Sequence, residues 1–366
     1  MKCPVGRPLG LVEDRADAPG CWRGHMLPTK NKTLIITHDH CALHETRKTM
    51  AERPRRLEWV MSALKHLEKD MKRDLHMSPL DIHEVKTSEP MLAALENQLI
   101  TFAGGGAAQS GMPSLARTAS VGYLEERIVP AVKAVHTRAY IGKLAAACIS
   151  LTEQAADSPK QPKQPSVAEL DGDTVVSASS LSAALCAVLS CCYAVDACVD
   201  PALPYVNAFA VIRPPGHHAG ANGPTVGADK FAEASTARAH AAKPAALTRA
   251  FSFVVQPAPC DGMDCSQGFC LLNNAAIAAR HALLMHPAKL SKVAIIDIDL
   301  HHGNGTEEIV RGWNDVMYLS LHGVGDPSSP ENYFYPETGT TLQEEELLVN
   351  VPLPQGTTSV AYLAAL

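Results

Sequence analysis

The sequence predicts an α/β fold in which a parallel sheet is covered on both faces by helices. Three observations carry this. Val293 to Leu300 (VAIIDIDL) is a near-continuous apolar run, the mark of a parallel strand covered on both faces. Asn207 to Arg213 (NAFAVIR) and Val316 to Leu321 (VMYLSL) share that character. Helical stretches complete the pattern. Leu57, Val60, Met61, Leu64, Leu67 and Met71 fall on one helical face, and Thr174 to Val195 runs for 22 residues without a charge.

The 366 residues suffice for one large α/β domain or two small ones, and a hydrophobic content of 46% against 19% charged supports a substantial core. A net charge of −6 carries no general nucleic-acid signature and mildly favours basic partners. Eleven cysteines without a secretion signal point to reduced thiols in an intracellular compartment. The opening MKCPVGRPLGLVEDRADAPG has no apolar h-region, so residues 1–32 are read as a mobile extension.

In chain order, Thr33 to Thr37 (TLIIT) is a short apolar strand. His38, Asp39, His40 and His44 follow it at a spacing that fits no common ligand set, which favours a rim or structural role for His38 and His40 over a metal site. After the helix over 57–71, residues 104–120 are Gly- and Ala-rich and read as an inserted loop. Tyr123 to Ile141 is read as helical, and residues 152–172 as a polar linker. The uncharged run from Thr174 is long enough to span a bilayer. Its Ser and Cys content favours a buried helix instead. Residues 221–262 form an Ala-rich insertion with scattered Lys and Arg, read as a lid, a disordered loop or unspliced sequence. Cys260, Cys265 and Cys270 recur every five residues without a fourth zinc ligand at standard spacing. Asn273 to Met285 and Thr306 to Arg311 are helical.

Chemistry concentrates at the carboxyl ends of the strands, where open α/β sheets place their ligand sites. Asp297 and Asp299 interrupt an apolar strand, and an ionised carboxylate there needs a metal, a cation or a tight hydrogen-bond partner. Alternation along a strand projects Asp297, Asp299 and His301 to one side if the extended geometry lasts. Asp-x-His suits zinc or a similar divalent ion. The plainer alternative is a salt-bridged strand end with a surface His pair. Pro214, Pro215 and Gly216 turn the chain after the 207–213 strand and place His217 and His218 in a comparable position. Two such rings offer a neutral base and a charged neighbour if their second nitrogens are held differently. Two core histidines capping a turn are the structural alternative.

Four ordered blocks carry a resemblance: RPPGHHA (213–219), GFCLLNN (268–274), VAIIDIDLHHGNG (293–305) and SLH (320–322). Together they resemble the zinc-dependent histone deacetylase family, and the Asn in HHGNG is similar to its class II members. ERPRRL (52–57), VKAVHT (132–137), Asp173-Thr174, FYP (334–336) and NVPLPQG (350–356) extend the match over most of 33–366, with insertions at about 104–120, 152–172 and 221–262. The resemblance implies a three-layer parallel sheet of the arginase–deacetylase type, incomplete at the C-terminus, with an exposed apolar edge at the last strand present. It implies zinc on Asp299 and His301, His217 paired with Asp297, and His218 paired with Asn304. It also implies a substrate tunnel at Gly268, Phe269, Tyr335 and the rim residue Asp173, the last equally readable as a helix N-cap. A structural potassium would lie at Asp297, Asp299, His301, Ser320 and Leu321. The family's second metal Asp and its carbonyl-binding Tyr have no counterpart here, and Glu344, Glu345 and Glu346 replace a Gly-rich run.

The implied reaction is hydrolysis of N-acetyl-lysine amides on histones or other proteins, with the chain as given inactive. An acetylpolyamine amidohydrolase and a non-catalytic acetyl-lysine-binding scaffold are the other readings. Implied partners are acetylated protein tails and corepressor proteins, with no direct nucleic-acid or membrane contact, in the nucleus, the cytoplasm or both.

Overall fold

The computed structural model describes residues 31–75, 80–85, 89–104, 124–156, 167–170, 174–223, 268–325 and 338–366. In order they form β1 (Lys32–His38), a 3-10 turn (Asp39–Leu43), α1 (Arg55–Leu75), β2 (Leu80–Val85), α2 (Glu89–Phe102), a π-helical turn (Leu124–Ile128), α3 (Val129–Val135) and α4 (Arg138–Ala156). Then follow β3 (Val167–Glu169), β4 (Val175–Ser177), α5 (Ser180–Val199), β5 (Tyr205–Val211), α6 (Asn274–Met285), β6 (Val293–Asp297), α7 (Asn304–Val310), β7 (Val316–Val324), β8 (Gln343–Glu345), β9 (Leu348–Pro354) and α8 (Ser359–Ala365).

The α/β class with parallel strands is present, but the strands fall into two larger sheets and a separate β3-β4 pair rather than one sheet. β2-β1-β5 is wholly parallel; in β6-β7-β9-β8 only β8 is antiparallel. The three apolar runs are therefore not all neighbours. β6 pairs with β7, whereas β5 pairs with β1. Among the described residues, β5 and β6 each have one unpaired edge. The bare edges are thus not at the last strand, since β9 lies between β7 and β8; chain order is not spatial order. Nor is β6 covered on both faces. Ile296 is 59% exposed, and Ile298 and Leu300 beyond it are exposed too.

The uncharged run divides. Thr174, Val175 and Val176 are β-branched and suit a strand, and β4 pairs antiparallel with β3 inside the segment expected to be a linker. The helix starts at Ser180. It is long and apolar enough to cross a membrane, yet 61% of that stretch is buried inside the fold. Leu185, Cys186, Ala187 and Val188 lie in the main core, which marks a core helix.

Residues 123–141 are likewise not one helix. Pro130 sits in the first turn of α3, where its missing N–H costs nothing. His136 then turns extended, at φ −111° and ψ 142°. Long-range bonds replace the lost helical ones. Thr137 N–H donates to the Ala221 carbonyl at 2.8 Å, and the buried His136 ring bridges Gly220 and Asn273. Its Nδ1–H donates to the Gly220 carbonyl at 3.0 Å, and Nε2 accepts the Asn273 N–H at 2.9 Å. Both ring nitrogens are committed and the ring is neutral. Burial lowers its pKa to about 4, against backbone carbonyls that favour the charged form.

A depressed histidine pKa means that the unfolded chain binds more protons between pH 6.5 and about 4. The stabilisation is whole above pH 6.5 and is lost as the pH falls through that window. Acidification from pH 7 to 5 should remove on the order of 2 kcal/mol through this group. His136→Gln should flatten the urea-unfolding stability over that range by a similar amount, and an unchanged slope would show that His136 is not held neutral.

Arg213, just past β5, anchors the opening of the loop. Its Nε and Nη2 donate to the two Glu52 oxygens, each at 2.7 Å, and Nη1 donates to the carbonyls of Cys41 (3.1 Å) and His44 (2.6 Å). This fork satisfies a buried pair that would be costly if either partner were lost. It also shows what the N-terminal histidines do. His38 Nδ1 accepts the His40 N–H at 3.1 Å and caps the 3-10 turn, and His44 Nδ1 lies 2.7 Å from Ser180 Oγ.

Candidate active site

β5 and β6 deliver two loops whose side chains meet. From the β5 loop, His217 and His218 stack with ring centroids 4.0 Å apart. From the β6 side come Asp297, at the strand's last position, then Asp299 and His301. The extended geometry ends at Asp297, because the Asp297 Oδ1 turns back to accept the Asp299 N–H at 3.1 Å. Alternation therefore does not place Asp299 and His301; the turn does. The rings of His218 and His301 come to 6.0 Å, and His217 Nε2 to 3.9 Å from Asp299 Oδ1.

The two histidines are held differently. His217 Nδ1 donates to Asp297 Oδ2 at 3.0 Å. Burial opposes charge on this ring, but the bond and charge of Asp297 outweigh it and hold the pKa above the ordinary value. His218 Nδ1 lies 2.7 Å from Asn304 Oδ1, and an amide oxygen only accepts, so Nδ1 carries the proton and Nε2 has a lone pair. Burial and the neighbouring His217 push its pKa down to about 3, against the Asn304 hydrogen bond, which favours the charged ring. Asp297 is held below the ordinary carboxylate value. Burial works against that, but His217, the Asp299 N–H and the Tyr318 hydroxyl at 3.1 Å outweigh it.

Glycines let these groups close up. A Cβ on Gly303 would lie 2.3 Å from Asp297 Oδ2, and one on Gly268 would lie 2.3 Å from His218 Cδ2. Gly268 has φ +65° and Phe269 φ +69°, the latter in the left-handed region that non-glycine residues avoid. Thr174 Oγ1 accepts the Phe269 N–H at 3.2 Å, which ties this segment to the start of β4. Tyr335 and Asp173 lie outside the described residues.

Asp299 and His301 are 51% and 40% exposed, so the metal-like pair lies at the open side of the cluster. Asp299 Oδ1 and His301 Nδ1 stand 3.2 Å apart. That is close to the roughly 3.3 Å edge of a tetrahedron with 2.0–2.1 Å bonds, so two zinc donors fit. Among the described residues no third ligand atom completes a group here; the group of three that does form lies elsewhere. For potassium, Ser320 faces Asp297 in register and Leu321 follows it. The Ser320 hydroxyl is already 2.9 Å from His322 Nδ1.

Sequence reasoning missed two contributors. Tyr318 lies within an apolar run that reads as core, and only packing brings its hydroxyl to Asp297. Thr174 was assigned to a helix. His302 was not separated from His301; it turns away, 2.8 Å from Glu307 Oε2 and 3.1 Å from Asn350 Oδ1.

The histone deacetylase domain model matches residues 124–227 and 226–366. The type-2 histone deacetylase 2 of Dictyostelium discoideum is 35% identical over 199 residues, 52% of this chain and 9% of that protein. An acetylpolyamine amidohydrolase of Mycoplana ramosa is 31% identical over 50% of this chain and 40% of its own length. This chain thus spans less than half the length of either relative. A crystal structure of the HDA15 HD domain superposes with a TM-score of 0.49 at 22% identity, covering 88% of this chain and 62% of that one.

Proposed function

The chain belongs to the histone deacetylase family, and on that premise we propose that it carries the catalytic centre of a zinc-dependent lysine deacetylase. The observation that supports this most is the unequal His pair, His217 held by Asp297 and His218 by Asn304, beside the 3.2 Å Asp299–His301 donor pair. Asp299 and His301 would hold the zinc. A zinc ion there supplies Lewis acidity to a substrate carbonyl and to water. His218 Nε2 is the base that removes the water proton and returns it to the leaving amine. His217, kept charged by Asp297, stabilises negative charge beside it. Phe269 offers an aromatic wall for a lysine stem whose charge acetylation has removed. Asp297, Asp299, His301, Ser320 and Leu321 are proposed as the potassium site on the resemblance alone. Acetylated protein tails such as those of histones are the proposed substrates, in the nucleus or cytoplasm.

The relative named an acetylpolyamine amidohydrolase supports a second reading, a small acetylated amine as substrate. The acidic run does not decide it. Glu345 pairs with Leu348 within the second sheet and lies 3.3 Å from Arg311. Rates on an acetyl-lysine peptide and on a mono-acetylated diamine separate the two.

For the metal, Asp299→Ala and His301→Ala should each lower the zinc content by one equivalent, and His44→Ala should leave it unchanged. Equal loss from His44→Ala, by elemental analysis, would move the site to the N-terminal histidines.

A further inference from the structure

A second cluster lies at the far end of α6. Asp196 near the end of α5, His281 in α6 and His286 at its C-cap bring three ligand atoms within 4.8 Å of one another. Asp196 Oδ1 is approached by His286 Nε2 at 2.6 Å, His281 Nε2 at 2.8 Å and Arg127 Nη2 at 3.0 Å.

The proton count is what makes this cluster unusual. His281 Nδ1 lies 3.1 Å from the Arg127 carbonyl, which can only accept, so Nδ1 carries a proton. If the ring is neutral, Nε2 is a bare lone pair facing a carboxylate lone pair at 2.8 Å. If the ring is charged, a fully buried imidazolium sits beside a guanidinium, both of them approaching Asp196 Oδ1. The second arrangement is costly. A divalent cation resolves both, since it takes the lone pairs of two neutral imidazoles and the carboxylate at once. The Nδ1–H to carbonyl bond is the outer partner that metal-binding histidines ordinarily have.

We propose that Asp196, His281 and His286 form a second divalent-metal site of the zinc type, separate from the candidate active site and tying α5 to α6. Two imidazoles and a carboxylate suit zinc, with one position left for water. Ligand atoms at zinc distances stand roughly 3.3 Å apart, so each imidazole opens by about half an ångström from its present 2.6 or 2.8 Å approach to Asp196 Oδ1. The Arg127 side chain, 30% exposed, moves outward from the shared oxygen. The location gives the metal a purpose. α6 is 12 residues long, roughly 18 Å at 1.5 Å per residue. Its N-cap, Asn273, bonds the Ala219 carbonyl and Thr306 behind the His217–His218 turn. The metal thus fixes the outer end of the helix whose inner end supports the site.

The test removes the other site first. The Asp299→Ala/His301→Ala chain is titrated with Co²⁺, read by its visible absorption, and with Zn²⁺ in competition. One equivalent is expected, together with a rise in Tm of roughly 5 °C at saturating Zn²⁺. Adding His286→Ala, at the helix end, should abolish both effects with an unchanged far-ultraviolet circular dichroism spectrum. Should that variant lose its fold, His286→Gln, which keeps a hydrogen-bond donor, takes its place with the same expectation. Absence of Co²⁺ binding by the double variant at micromolar metal overturns the site, and so does an equivalent that survives the His286 change.

Discussion

In any form of the protein that turns over an acetyl-lysine peptide, replacing Asp299 and His301 together by alanine should lower the rate by at least about 10²-fold. The described residues bring these two side chains together as zinc donors at 3.2 Å, and a zinc held there would supply the Lewis acidity that polarises the substrate carbonyl, worth several kcal/mol. Zinc content, read by elemental analysis, should fall with the rate. β5 and β6 carry the two halves of the site, and each has an unpaired edge among the described residues. Phe209 on β5 is 49% exposed and Ile296 on β6 59%. Unpaired apolar edges recruit other chains, so Ile296→Lys should raise the solubility. Unchanged turnover in the double alanine variant would refute the donor assignment.

In whichever form turns over, His218→Ala should lower kcat by about 10²–10⁴ while leaving the zinc content unchanged. The Nε2 lone pair sets this expectation. Asn304 Oδ1 fixes the proton on Nδ1, which leaves the lone pair on Nε2 of a ring whose centroid lies 6.0 Å from that of His301. A merely structural His218 would lose stability and activity together, whereas a base loses kcat with the fold intact. Asn304→Asp adds a second reading. A carboxylate favours the imidazolium, so His218 stays protonated to higher pH and the acidic limb of the pH–rate profile moves upward. An acidic limb that stays where it is in Asn304→Asp, or a wild-type kcat in His218→Ala, would remove His218 from the role of base.

The family follows from blocks whose meaning is local. DIDLHHGNG must end a strand because its apolar residues run out where its polar ones begin, and RPPGHHA must turn because its prolines cannot continue a strand. The pairings of His217 with Asp297 and of His218 with Asn304 join residues 80 and 86 positions apart. Resemblance suggested them, but periodicity had no access to them. The local signals failed where a long-range partner outbid propensity. His136 breaks a helix that the pattern favours, because the Gly220 carbonyl and the Asn273 N–H saturate its ring. Residues 174–177 leave an apolar helical run to pair with 167–169. Asp299 and His301 meet through a turn that bonds back to Asp297, where strand alternation had placed them on a strand that has already ended.

The sequence by itself determined the α/β class, the strand-end position of the site and the residue types that fill it, because apolar runs, prolines and glycines act on their immediate neighbours. Only the tertiary structure decided that the strands form two larger sheets and a separate pair, that Tyr318 and Thr174 support the site, and that Asp196 stands between His281 and His286. Those depend on which elements pack together, and burial and hydrogen-bond satisfaction over long separations, rather than local propensity, select that arrangement.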